Sequence, residues 1–63
     1  METLKTYVGI LMQYAHLPRM SMEDKGRYRQ TAFGAVEFFI MEHPNQSEEA
    51  EAYWEEVKDE FYE

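Results

Sequence analysis

Carboxylates are the most abundant chemically active side chains of this sequence, and they crowd its C-terminal end. Eight of the last sixteen residues are acidic, and Lys58 is the only basic residue among them. Carboxylates can act as a general acid and base, but only in a desolvated pocket that separates their pKa values. A chain of 63 residues has little interior for such a pocket, and it contains no GxSxG, P-loop or GxGxxG motif. We therefore predict that the protein is not an enzyme.

The two histidines offer little to a metal ion. His16 and His43 are the only ones, each lies at a turn that contains a proline, and the chain has no cysteine. A metal site needs several converging nitrogen, oxygen or sulfur ligands, and neither an HExxH motif nor an EF-hand loop is present. We predict no metal site and no cofactor, and we expect His43 to stabilise the negative end of a helix dipole.

The basic residues Arg19, Lys25, Arg27 and Arg29 form the one cationic cluster. Clustered cations are typical of phosphate contacts. However, Arg27 points away from the face that Lys25 and Arg29 share on a helix, and Glu23 lies four residues before Arg27 and can pair with it. The acidic half of the chain would also repel a phosphate backbone. We predict that these cations pair within the fold, or with a second copy, and that the protein does not bind nucleic acid directly.

Charge is divided unequally between the two halves of the chain. Residues 1–32 hold five basic and three acidic residues, whereas residues 33–63 hold one basic and ten acidic residues, giving −7 overall. An asymmetry of this kind indicates either a binding partner or a solvated helix exterior. Helices built for solubility alone normally mix both signs, which favours a partner with a basic surface.

Two prolines divide the chain into three helical segments. Pro18 and Pro44 disfavour helix at the residue before each of them, and apolar residues recur at helical spacing between these breaks. Ser21 and Ser47 are suited to cap the second and third helices. We predict an all-α protein with a single domain, residues 1–63, folded as a small antiparallel three-helix bundle. Its helices are predicted at about 3–16, 22–42 and 47–62.

The second helix has an apolar half, residues 32–41, that is apolar on nearly every side. Such a segment is usually buried between neighbours, and we expect Gly34 to mark a place where another helix crosses closely. Phe38 and Phe39 point about 100° apart on a helix, so we expect one small bundle to leave one ring uncovered. This observation carries an alternative function, a homodimeric structural or regulatory module that associates through this half, with Phe38 and Phe39 in the interface.

The third segment separates apolar from acidic residues more cleanly than the other two. Its apolar residues fall within about 100° of arc, and its carboxylates fill the remaining side, with Glu37 and Glu42 of the second helix expected nearby. We predict that this side binds a basic surface of a partner protein, and that Tyr62 anchors the contact. The predicted partner-binding residues are Glu48, Glu51, Glu55, Glu56, Asp59, Tyr62 and Glu63.

The size, acidity and helical content resemble those of small phage or mobile-element proteins that antagonise a host factor, some of which mimic DNA. This resemblance is one of type, and no motif carries it. It implies an inhibitor that occupies the basic face of a nucleic-acid-binding protein. The sequence has neither a secretory signal pattern nor a run of about 18 apolar residues, and the absence of cysteine fits a reducing compartment. We therefore expect a cytoplasmic protein without a membrane partner.

Overall fold

The computed structural model describes residues 1–63 as three α-helices without a β-strand, which confirms the predicted all-α bundle. Helix α1 spans Glu2–Ala15, α2 spans Met22–Glu42 and α3 spans Ser47–Val57, with short 3₁₀ turns at Pro44–Gln46 and Lys58–Tyr62. Tyr14 near the end of α1 stacks on Tyr28 near the start of α2, so these two helices are antiparallel. The bundle measures 39 × 16 × 16 Å. No helix in it combines the length and apolar character of a transmembrane span.

The start of α2 is fixed by the predicted cap. The Asp24 backbone N–H donates a hydrogen bond of 3.1 Å to Ser21 Oγ, and Glu23 and Asp24 lie in the first turn, where the helix dipole favours acidic side chains. The helix ends at Glu42 because His43, which precedes Pro44, adopts a non-helical backbone with φ −135° and ψ 68°. Both bounds of α2 agree with the prediction.

The third helix begins at Ser47, as predicted, but its cap and its end differ from the prediction. Its N-cap is Gln46 rather than Ser47, and no side chain caps it, because the 3₁₀ turn Pro44–Gln46 runs directly into the helix and makes Ser47 its first residue. The α-helix also ends at Val57, and residues 58–62 continue as a 3₁₀ turn. The predicted capping role of Ser47 is therefore wrong, and the predicted helix to residue 62 is too long as an α-helix.

Two side chains from the other helices hold the final turn in place. Arg29 Nε donates a hydrogen bond of 3.1 Å to the Lys58 carbonyl. His16 Nε2 lies 2.6 Å from the Glu60 carbonyl, and it must carry the proton because a carbonyl only accepts. These contacts tie the carbonyl groups of the final turn to α2 and to the end of α1.

The core is small and lies along the line where the three helices meet. Its buried residues are Leu4, Val8, Ala15, Ala32, Val36, Ala50, Trp54 and Phe61. Each helix contributes one buried alanine, a small side chain that lets neighbouring backbones approach closely. Trp54 and Phe61 fill the wider space, with ring centres 6.1 Å apart. No buried side-chain nitrogen or oxygen lacks a hydrogen-bond partner.

The apolar half of α2 is not buried on every side, which corrects the prediction. Phe38 is 63% exposed and Met41 is 77% exposed, whereas Phe39 is half-buried against the core. Gly34 is also exposed, and a Cβ placed there would meet no atom within 4 Å, so no helix crosses closely at this residue. The reason is geometric, because only two helices flank α2 and they cover only part of its circumference.

Candidate functional site

The acidic residues of α3 point away from the core. Ala50 and Trp54 are buried one turn apart and fix the inner side of the helix, so Glu51 and Ala52 between them face solvent. The exposed acids of α3 and of the final turn are Glu48, Glu49, Glu51, Glu55, Glu56, Asp59 and Glu63. The third segment therefore has an apolar inner side and an acidic outer side, as its sequence pattern indicates.

Only one of these acids has a cationic partner. Lys58 Nζ lies 2.9 Å from Glu55 Oε1 and 3.0 Å from Oε2. The remaining ion pairs join Arg27 to Glu23 at 3.0 Å and to Asp24 at 3.8 Å, within the first turns of α2. The predicted pairing of Arg27 with Glu23 is confirmed. The chain's own cations thus leave most of the negative charge on α3 without a direct partner.

A groove lies between α2 and α3, next to carboxylates of both helices. Its volume is about 300 Å³, and it combines an apolar floor with carboxylates at its edges. We call it the acidic groove, and it consists of Phe33, Val36, Ile40 and Trp54 below Glu37, Glu51 and Glu55. Neither Glu37 nor Glu51 forms an ion pair. An apolar floor with an anionic rim fits a side chain that has an aliphatic stem and a cationic head, as in arginine and lysine.

The aromatic side chains in the floor of the acidic groove, Phe33 and Trp54, are held by contacts with each other and with Arg29. The rings of Phe33 and Trp54 lie 5.7 Å apart at a tilt of 39°, and the guanidinium carbon of Arg29 lies 5.6 Å from the Trp54 ring centre. Trp54 is almost fully buried, whereas Phe33 is 39% exposed. An incoming side chain would therefore meet a surface whose position the core already fixes.

The structure groups some of the predicted partner-binding residues and separates others. Glu51 and Glu55 line the acidic groove, whereas Glu48 and Glu56 lie on the outer surface of α3. Asp59 and Glu63 are exposed in and after the 3₁₀ turn, where residues advance by about 120° instead of 100°.

Tyr62 lies apart from the carboxylates that it was expected to anchor. Its ring centre is 6.0 Å from the guanidinium carbon of Arg29, and its hydroxyl is 3.6 Å from the position of a Cβ on Gly26. The 3₁₀ geometry turns this side chain toward the start of α2. It remains 40% exposed at that end of the bundle.

The two acids expected from α2 have different positions. Glu37 lines the acidic groove, as expected. Glu42 does not, because it lies in a separate groove between α1 and α2, beside Tyr7 and Phe38. Sequence reasoning also missed Phe33 and Ile40 as groove residues. The signal was present, because Phe33, Glu37 and Ile40 follow one another at i, i+4 and i+7 and share one side of a helix.

On the side of α3 that faces α1, Tyr53 is the residue whose acidity the fold changes. Burial raises the pKa of its phenol above the usual 10.0, and the negative charges of Glu60 and then Glu56 raise it further. Lys5 Nζ lies 5.5 Å from the centre of the same ring. No group of three or more His, Asp or Glu side chains is arranged to hold a metal ion.

No protein-family model, curated protein or solved structure matches this chain. Its function must therefore be argued from the charge and geometry of its surface.

Proposed function

We propose that this protein is a small acidic binding module that docks α3 and the acidic groove on a basic surface of a partner protein. The observation that supports it is the exposed acidic side of α3, on which only Glu55 has a cationic partner. Like charges at i and i+4, such as Glu51 and Glu55, slightly destabilise an isolated helix. A basic partner surface would relieve that repulsion on binding.

Binding would combine long-range electrostatic attraction with a specific contact in the acidic groove. The acidic half attracts a basic surface over a distance of about 8–10 Å at moderate salt, which speeds encounter. An arginine or lysine of the partner then lies with its stem on Phe33 and Ile40 and its charge near Glu37 and Glu51. The apolar floor gives affinity that salt cannot screen, while the carboxylates select a cationic side chain.

The basic face of a nucleic-acid-binding protein is the partner surface that best fits this charge. Such a face is built to neutralise a row of phosphates, and a row of carboxylates can occupy the same cations. The protein would then act as an inhibitor of the DNA-mimic type. We expect it to act in the cytoplasm and to make no direct contact with nucleic acid.

The test compares two double variants with the same net charge. Glu37→Gln with Glu51→Gln changes the acidic groove, whereas Glu2→Gln with Glu42→Gln removes two exposed acids elsewhere. The probe is an arginine-rich peptide with interspersed leucines, titrated at several salt concentrations. We expect the groove variant to bind about tenfold more weakly, which corresponds to about 1.4 kcal/mol. The matched variant should lose much less. Equal losses would show that net charge alone is responsible and would contradict the role of the groove.

A charge reversal extends the test to a natural partner. Glu51→Lys, Glu55→Lys and Asp59→Lys together should abolish capture of a basic protein from cell lysate while circular dichroism shows unchanged helicity. A protein captured by the wild type should elute as salt rises, and it should bind again as a purified component. Affinity for that purified partner that stays constant from low to high salt would exclude the electrostatic mechanism.

A further inference from the structure

A second exposed surface lies on α1 and α2, away from α3. Tyr7, Ile10 and Tyr14 follow one another at i, i+3 and i+7 on α1 and are 44%, 46% and 50% exposed. Phe38 of α2 lines the same groove as Tyr7. We define the α1–α2 face as Tyr7, Ile10, Tyr14, Tyr28, Ala35 and Phe38. Helix α3 packs on the other side of α2, against Phe33 and Val36, so this face takes no part in the acidic groove.

The middle of the α1–α2 face is uncharged, and acidic side chains lie only at its ends, where Asp24 and Glu42 continue the α2 row of Tyr28, Ala35 and Phe38. None of its six residues is ionised at neutral pH, although the chain as a whole carries −7. Two copies of the chain repel each other wherever acidic surfaces meet. They can approach through the middle of this face, where no acid lies, while Asp24, which pairs with Arg27, and Glu42 lie at its ends. A basic partner has the opposite preference, because it is attracted to the acidic side of α3.

The shape of the face suits contact with its own copy. At one end, a groove of about 640 Å³ lies between the first half of α1 and the second half of α2, with Tyr7, Ala35 and Phe38 in its lining. At the other end, Tyr14 and Tyr28 form a stacked pair with ring centres 5.9 Å apart. A two-fold axis near Ile10 would lay the tyrosine pair of each copy over the groove of the other. Such a self-complementary patch is what a symmetric dimer requires.

Charges at the two ends support this antiparallel arrangement. Arg19 lies in the turn between α1 and α2 with φ 68°, is exposed and forms no ion pair. Glu42 lies at the opposite end, lines the groove and also has no ion pair. The same two-fold axis brings Arg19 of each copy toward Glu42 of the other. The dimer would therefore contain two symmetry-related pairs of Arg19 with Glu42.

The small core favours association as well. Only 8 of 63 residues are buried. Domains of this size without disulfides or metals commonly gain stability by oligomerisation.

We propose that two copies of this chain associate through the α1–α2 face as an antiparallel, two-fold symmetric dimer. The sequence suggested an interface on α2 alone, formed by Phe38 and Phe39. The structure leaves only Phe38 available, because Phe39 is half-buried and its ring lies 4.6 Å from that of His43. Helix α1 contributes the other half of the face. The dimer would present two acidic α3 helices outward, so it does not compete with binding of a basic partner.

Sedimentation equilibrium over a wide concentration range tests the proposal. We expect the wild type to approach twice the monomer mass. Phe38→Glu and Ile10→Glu should each raise the dissociation constant at least about a hundredfold, since they place two like charges in the uncharged middle of one interface. Met41→Glu is the matched control, because Met41 is more exposed than Phe38, lies on the same helix and does not line the groove. A wild type that stays monomeric at millimolar concentration would overturn the proposal, and so would a Met41→Glu variant that dissociates as much as Phe38→Glu.

A charge exchange tests the orientation. Arg19→Glu and Glu42→Arg should each weaken the dimer several-fold, and the double variant should recover most of the loss. If the double variant loses as much dimer affinity as the two single losses added together, the antiparallel arrangement is overturned. All the variants should still bind the arginine-rich peptide, because the acidic groove lies on the other side of α2. Failure of this proposal is therefore distinguishable from failure of the proposed function.

Discussion

The guanidinium carbon of Arg29 lies 5.6 Å from the ring centre of Trp54, so an arginine of α2 covers the largest aromatic side chain of the core. The same side chain donates a hydrogen bond from Nε to the Lys58 carbonyl, and its guanidinium carbon lies 6.0 Å from the Tyr62 ring centre. Arg29 therefore joins α2 to the end of α3 and to the final turn. These contacts confirm, for this residue, the prediction that the basic cluster pairs within the fold.

Replacing Arg29 by lysine should destabilise the fold even though it conserves the charge. A lysine has no Nε–H to reach the Lys58 carbonyl and no planar group to stack on Trp54. We expect the free energy of unfolding in urea to fall by about 1–2 kcal/mol. Arg27→Lys is the control, because that side chain is 73% exposed and pairs only with acids at the surface. Its effect should stay below about 0.5 kcal/mol, and similar losses for the two variants would contradict the role of Arg29.

The two serines predicted as helix caps should respond differently to mutation. Ser21→Ala removes the acceptor of the Asp24 N–H and should lower the free energy of unfolding by about 1 kcal/mol. Ser47 caps nothing because it is the first residue of α3, so Ser47→Ala should leave stability almost unchanged or raise it slightly. Thermal unfolding followed by circular dichroism can measure both. A larger loss for Ser47→Ala would show that Ser47 caps the third helix, as the sequence predicted.

The serines also show which features a sequence can predict. Local sequence signals predict both bounds of α2 correctly, since Ser21, the acidic first turn and Pro44 all act on neighbouring residues. The end of α3 depends on Arg29 and His16, which lie 29 and 44 residues from the carbonyls that they contact. No local pattern contains that information, so residues 58–62 were predicted as α-helix.

The candidate site was predictable in its charge but not in its shape. The acidic side of α3 follows from helical spacing alone. The acidic groove also needs Phe33, Glu37 and Ile40, whose relevance depends on the side of α2 that α3 covers. Gly34 shows the same limit, because a small residue predicts a close crossing only where a second helix is present, and none is.

The size of the core makes Phe61 decisive for folding. Phe61 is fully buried beside Trp54, and replacing a buried phenylalanine by alanine costs about 3–5 kcal/mol. A chain of this length has a total stability of about 3–9 kcal/mol, so we expect Phe61→Ala to remove at least about a third of it. Phe38→Ala should change the stability of the monomer by less than about 1 kcal/mol, since Phe38 lies outside the core. Urea unfolding at low protein concentration keeps dimer formation out of this comparison.

The raised pKa of Tyr53 makes stability depend on alkaline pH. The folded state holds the phenolic proton more tightly than the unfolded state, so the unfolded state ionises first as pH rises above about 10. This contribution is complete below that pH and is lost as pH passes through the raised value of the folded state. Unfolding measured across this range should therefore depend less on pH in Tyr53→Phe than in the wild type.

The charge next to Tyr53 can be tested separately. Glu60→Gln removes the larger of the two electrostatic causes of the shift, so it should lower the pKa of Tyr53 toward 10.0 in a tyrosinate absorbance titration. Glu49→Gln makes the same change in net charge on the same helical segment, but Glu49 is not a cause of the shift. An equal displacement in both variants would mean that net charge, rather than the position of Glu60, controls this residue.

The acidic groove should show a conflict between stability and binding. Glu51 lies in it with Glu37 and Glu55, and Glu51 has no ion pair. Glu51→Gln removes a like-charge contact, so the free chain should become more stable by a few tenths of a kcal/mol, about the size of an i,i+4 charge pair. Added salt should stabilise the wild type more than the variant, because it screens the repulsion that the variant lacks. The same change should weaken binding of the arginine-rich peptide. If Glu51→Gln lowers both stability and binding, the carboxylate stabilises the free chain. That result would contradict the proposal that its charge acts mainly in binding a partner.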